Sequence, residues 1–112
     1  MRLLRTTDYR KVYSKGRRWN LDCLVAFALA NGKPMSRVGF TVGRTLGEAV
    51  ERNRLKRRLR EAVRKHLNEL GPGWDIVLHP RPEAKTLEFA ELEETIQKFF
   101  LFCARQVSEP PQ

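Results

Sequence analysis

Cysteine is scarce. Cys23 and Cys103 form no CxxC pair and lie in apolar surroundings, so buried free thiols are expected rather than a disulfide framework or a thiolate metal site. Long apolar runs are missing too: the longest, residues 24–30, is far too short to span a bilayer. The opening MRLLRTTDYRKVY lacks the apolar stretch of a secretory signal, which points to a cytoplasmic protein. Catalytic furniture is thin. Asp8, Asp22 and Asp75 are scattered over separate segments, and Glu88, Glu91, Glu93 and Glu94 read as the solvated face of a helix. His66, expected on the sheet-facing side of a helix, and His79, ending a strand, have no carboxylate or cysteine at ligand spacing; both read as structural. A nuclease working alone needs clustered carboxylates or a placed histidine pair, and neither is present. There is no P-loop and no glycine-rich dinucleotide turn. The sequence thus predicts no protein active site, no metal and no cofactor bound by the protein itself.

Positive charge is what the chain has in excess. The formal charge is +9, and it is unevenly placed: residues 1–65 hold 18 of the 22 basic residues and 5 of the 13 acids, a net of +13. Residues 66–112 hold 4 basic and 8 acidic residues, a net of −4. A basic front with an acidic back argues for one polyanion-binding face rather than general stickiness. At 112 residues the chain is one domain, expected over 1–107 with a frayed tail at 108–112.

Periodicity gives the order of elements. Thr7-Asp8 reads as the N-cap of a short helix carrying Tyr9, Val12 and Tyr13 and stopped near Gly16. Residues 17–30 are strand-like, with an extra strand near Arg17–Asn20, and Asn31-Gly32 is a hairpin signal. From Ser36 to Arg44, Val38, Phe40 and Val42 point one way; Arg37, Gly39, Thr41 and Gly43 point the other, a small-residue face that leaves a shallow groove unless something covers it. Residues 47–70 form a long helix ended by Gly71-Pro72-Gly73, 74–78 a short strand broken by His79-Pro80, and 86–105 a last helix. The fold class is α/β: a two-layer α-β sandwich of order α-β-β(-β)-α-β-α around a small sheet.

The long helix has three sides. Leu55, Leu59, Ala62, Val63 and Leu70 make the stripe that must face the sheet. Asn53, Lys56, Arg57, Arg60 and Arg64 make a second stripe, and Arg54, Arg58 and Lys65 gather on a third side. Arg52 sits near the helix start, where it can reach over the sheet edge. Like charges three or four apart repel by a few tenths of a kcal/mol per pair. Solvated helices relieve this with acids at i+4, yet Glu61 is the only acid between Arg52 and Lys65. The run is also mostly arginine, whose planar fork binds phosphate bidentately and stacks on bases. A membrane surface is a poor fit, because the apolar stripe is needed to hold the helix to its sheet. A major-groove DNA helix lacks a helix-turn-helix or zinc pattern to present it. The residues themselves call for a polyanion, with no membrane and no obligate protein partner.

RVGFTVGRTLGEAVERNRLKRRLRE, residues 37–61, resembles the signature of the bacterial ribonuclease P protein subunit, and DYRKVYSKG, residues 8–16, resembles the family's aromatic helix. The resemblance implies a left-handed βαβ crossover through the long helix. It also implies a non-catalytic partner for a catalytic RNA that removes the 5′ leader of precursor tRNA, with Mg²⁺ held on the RNA. RNA and no DNA as the polyanion is what the resemblance of residues 37–61 implies. By the same resemblance, Tyr9, Tyr13 and Phe27 would be aromatics of a leader-binding cleft, with Arg52, Asn53, Lys56, Arg57 and Arg60 as its polar wall. Arg54, Arg58 and Lys65 are candidates for holding the catalytic RNA. From periodicity alone, Tyr9 and Tyr13 read as core positions of their helix and Phe27 as an ordinary strand residue; only the resemblance reverses this. GRT at 43–45 departs from the family's usual Ser-Lys-Lys, so one expected cation is missing there. The alternative is a structural, ribosomal-type RNA-binding protein with no role in cleavage.

Overall fold

The computed structural model describes residues 6–107, so the tail expected at 108–112 lies outside the described residues. Helix α1 (Thr6–Lys15) leads into strands β1 (Arg17–Asn20), β2 (Leu24–Ala30) and β3 (Arg37–Phe40). Helix α2 (Ala49–Leu70), strand β4 (Trp74–Pro80) and helix α3 (Phe89–Val107) follow, with 3-10 turns at Arg44–Leu46 and Pro82–Lys85. The sheet order is β1-β2-β4-β3, antiparallel except for the β3–β4 pair. That parallel pair is joined through α2, which is therefore the βαβ crossover.

Strand alternation sorts the sheet into two faces. Leu24, Ala26 and Ala28 of β2, Val38 of β3, and Ile76 and Leu78 of β4 pack against Leu55, Leu59, Ala62, Val63 and Leu70 of α2 and Leu92, Ile96, Phe99 and Phe100 of α3. Burying a leucine or phenylalanine fully is worth about 1.5–3 kcal/mol each, so this main core sets the stability of the domain. The other face carries a much smaller cluster: Val12 and Val77, with Tyr9, Phe27 and Leu29 partly buried around them. Helix α1 thus crosses the sheet on the side opposite α2 and α3.

Several boundaries differ from expectation. Asn31-Gly32 does not close a hairpin, because β4 inserts between β2 and β3. Instead Asn31 anchors its loop, donating from Nδ2 to Asp75 Oδ1 at 2.8 Å and accepting from the Lys33 N–H at 2.7 Å. The hairpin is β1–β2, turning through Leu21–Cys23 with Asp22 at φ 60°. Helix α1 begins before Thr7-Asp8, so Asp8 lies in its first turn, where its carboxylate meets Arg37 at 3.2 Å. Helix α2 starts two residues later than position 47. Gly47, at φ 115°, belongs to the preceding turn, and Glu48 and Glu51 form a reciprocal capping box. Strand β4 runs through His79 to Pro80, which pairs with Leu24 at the strand end, where a proline is tolerated.

Candidate nucleic-acid interface

Helix α1 has ten residues, too few to persist alone in water, so its contacts with the sheet decide its position. Val12 is fully buried against the sheet. Gly16 ends the helix at a close approach: a Cβ there would meet the Val12 carbonyl oxygen at 2.5 Å and that of Ala28 at 2.9 Å. Arg37 Nη2 reaches Asp75 Oδ2 at 2.5 Å while Nη1 reaches Asp8 Oδ2 at 3.2 Å, so one guanidinium ties β3, β4 and α1 together.

The three predicted aromatics sit on this face, and none is fully buried. Tyr13 stacks edge-on against Phe27, with centroids 4.7 Å apart and planes at 88°, and stays 41% exposed. Tyr9 lies over Gly39, where a Cβ would collide with its phenol, and its hydroxyl donates to the Phe40 carbonyl at 3.4 Å. Burial pushes the Tyr9 phenol up from its ordinary value, against the lowering effect of that hydrogen bond. The small-residue face is therefore only partly a groove. Tyr9 fills it at Gly39, whereas Gly43 has nothing within 4 Å of a built Cβ.

On α2 the five leucine, alanine and valine positions of the apolar stripe are all buried, as expected. Asn53, Arg57 and Arg60 are exposed and Lys56 half-buried; with Arg54, none of these makes a hydrogen bond or ion pair through its side chain among the described residues. Arg52 is half-buried and its Nε has no hydrogen-bond partner among the described residues. Arg64 is less available, because Glu61 holds it at 2.5 Å. The third side is divided. Arg54 is exposed, but Arg58 donates to the Leu87 carbonyl. Lys65 lies 3.5 Å from Glu93 and over the Phe89 ring, braced against α3. The aromatic group and the basic stripe lie on opposite faces of the sheet, so a chain touching both passes the free edge of β3.

Both histidines stand differently from expectation. His66 faces α3 rather than the sheet, its Nδ1 2.8 Å from Glu69 and its Nε2 3.5 Å from Glu93, so it does have carboxylate neighbours. Glu93 is thereby an inter-helix partner rather than part of a purely solvated face. His79 is exposed within β4, with Nδ1 2.6 Å from Thr41 Oγ1. Its alternation with Val77 and Asp75 could have placed it on the α1 face, but a strand ended at Leu78 hid that signal. Among the described residues no group of three or more His, Cys, Asp or Glu side chains is placed to hold a metal, and no helix is long and apolar enough to cross a membrane. Cys23 and Cys103 are buried free thiols.

A crossover helix with a cationic stripe, edging a sheet whose other face carries half-exposed aromatics, defines the class: small basic α/β sandwich proteins with a βαβ crossover. Comparison narrows it. The family profile described as Ribonuclease P matches residues 1–103, and the chain belongs to that family. The ribonuclease P protein component of Roseiflexus castenholzii is 41% identical over 97 residues, covering 85% of this chain and 80% of that one. That of Clostridioides difficile is 36% identical over 96 residues, covering 85% and 84%. Among solved structures, the RNase P protein from Thermotoga maritima superposes with a TM-score of 0.82 at 28% identity, covering 91% of this chain and 97% of its own. The Staphylococcus aureus RNase P protein gives 0.79 at 27%, covering 93% and 94%.

Proposed function

We propose that this chain is the protein subunit of a ribonuclease P ribonucleoprotein, binding the catalytic RNA and the single-stranded 5′ leader of precursor tRNA. The observation that carries the leader reading is exposed Tyr13 stacked on half-buried Phe27 beside Tyr9, on a face whose buried core is only Val12 and Val77. Aromatic faces stack on unpaired bases for about 1–3 kcal/mol each without choosing a base, which suits leaders of varied sequence. A purely structural RNA binder does not require such a face. Asn53, Lys56, Arg57 and Arg60 supply phosphate contacts along the neighbouring helix, with Arg52 at its head. Arg54 is the better-placed contact for the catalytic RNA, since Arg58 and Lys65 also brace α2 against the α3 side. The subunit contributes binding and no reacting group; metal ions on the RNA supply the hydrolytic chemistry.

The test is 5′-leader cleavage by a bacterial ribonuclease P RNA at low magnesium, with and without this protein. A large gain that disappears in Arg57→Ala/Arg60→Ala supports the reading. No gain with general RNA binding intact replaces it with the structural RNA binder.

A further inference from the structure

The strand register lines up rows of side chains across the α1 face. Arg18, Phe27, Val77 and Gly39 are partners in succession across all four strands, and α1 lies along that row with Tyr13 on Phe27 and Tyr9 on Gly39. The row on the far side, behind the Asp8–Arg37 pair, is Leu29, Asp75 and Arg37, which the salt-bridge network occupies. The remaining row begins Asn20, Val25, His79 and continues to Thr41, whose N–H donates to the Leu78 carbonyl at 3.1 Å. Strands lie about 4.8 Å apart, so these four positions span about 14 Å beside the tyrosines. Asn20 and His79 are exposed there.

His79 is not idle on this row. Its Nδ1 is engaged by the Thr41 hydroxyl at 2.6 Å, which fixes the ring and leaves Nε2 as its outward nitrogen. When the hydroxyl donates to Nδ1, the proton sits on Nε2, and the neutral ring offers an N–H to an anion without taking up charge. Bases stacked against Tyr13 and Phe27 bring their linking phosphates to the adjacent row. We propose that His79 is a leader contact, donating Nε2–H to a backbone phosphate oxygen, and that Thr41 is its positioning residue. This rests on the leader reading of the aromatic face.

The experiment compares holoenzymes assembled with a bacterial ribonuclease P RNA, measuring affinity for precursor tRNA and for mature tRNA lacking a leader. Their ratio isolates the leader. For the wild type the ratio favours precursor, and Tyr13→Ala reduces it. His79→Ala should lower the ratio about tenfold, the size of one hydrogen bond to a charged group, with mature-tRNA affinity and melting temperature unchanged. His79→Gln, which keeps a donor near the Nε2 position, should recover most of the loss, and Thr41→Val should lose part of it. If Tyr13→Ala lowers the ratio and His79→Ala does not, the His79 contact is wrong while the leader reading stands. If His79→Ala weakens precursor and mature tRNA alike, the residue is no leader contact. A wild-type ratio near one removes both readings together.

Discussion

A single guanidinium, that of Arg37, joins α1 to β4 through Asp8 and Asp75. Asp75 is 4% exposed; burial alone would raise its carboxyl, but hydrogen bonds from Arg37 and Asn31 outweigh that and hold it below the ordinary value of 3.8. A carboxyl depressed on folding stabilises fully above its unfolded value, and that stability disappears as pH falls through the folded one. The melting temperature should therefore drop as pH falls below about 4, and Asp75→Asn should flatten that acid limb. Arg37→Ala leaves the Asp75 carboxylate buried without its counter-charge and with Asn31 as its remaining side-chain donor, which costs about 3 kcal/mol in chemical denaturation. Gly39→Ala is a subtler probe. Its methyl displaces the Tyr9 ring, so it should weaken precursor-tRNA binding with little effect on affinity for mature tRNA.

At the scale of elements, the charged helix α2 was legible because its signal is local. A 3.6-residue period separates the buried leucines from the arginines, and both stripes fall where the period puts them. The aromatic side was not legible in the same way, since helical period alone leaves Tyr9 and Tyr13 as core. Only the crossing of α1 over the sheet, fixed by Gly16, Gly39 and Arg37, turns Tyr13 outward beside Phe27. Asn31-Gly32 misled for a related reason: turn chemistry reports the local bend, and a strand arriving more than forty residues later decides the pairing. The hand of the crossover has no local signature at all. The repulsion stored along α2 makes a prediction of its own. Phosphate, sulfate or polyphosphate should raise the melting temperature beyond general salt effects, because an anion bound by the folded state stabilises it. Each arginine of the stripe replaced by alanine should also reduce the slope of log affinity against log salt by about one.

For the molecule as a whole, the two thiols offer a reading of global stability. Burial pushes Cys103 up to about 12 and also raises Cys23, where a contact with the Thr95 side chain works in the lowering direction. Both sit in the main core, so alkylation at neutral pH should track complete unfolding, not local opening. The sheet order carries a last consequence. β3 has no strand neighbour except β4, and β4 lies beyond the entire basic helix in the chain. During synthesis, the arginine-rich segment thus leaves the ribosome before the strand that seats it does. Until residue 80 has emerged as well, the most cationic part of the chain is an unanchored polycation, open to any polyanion it meets.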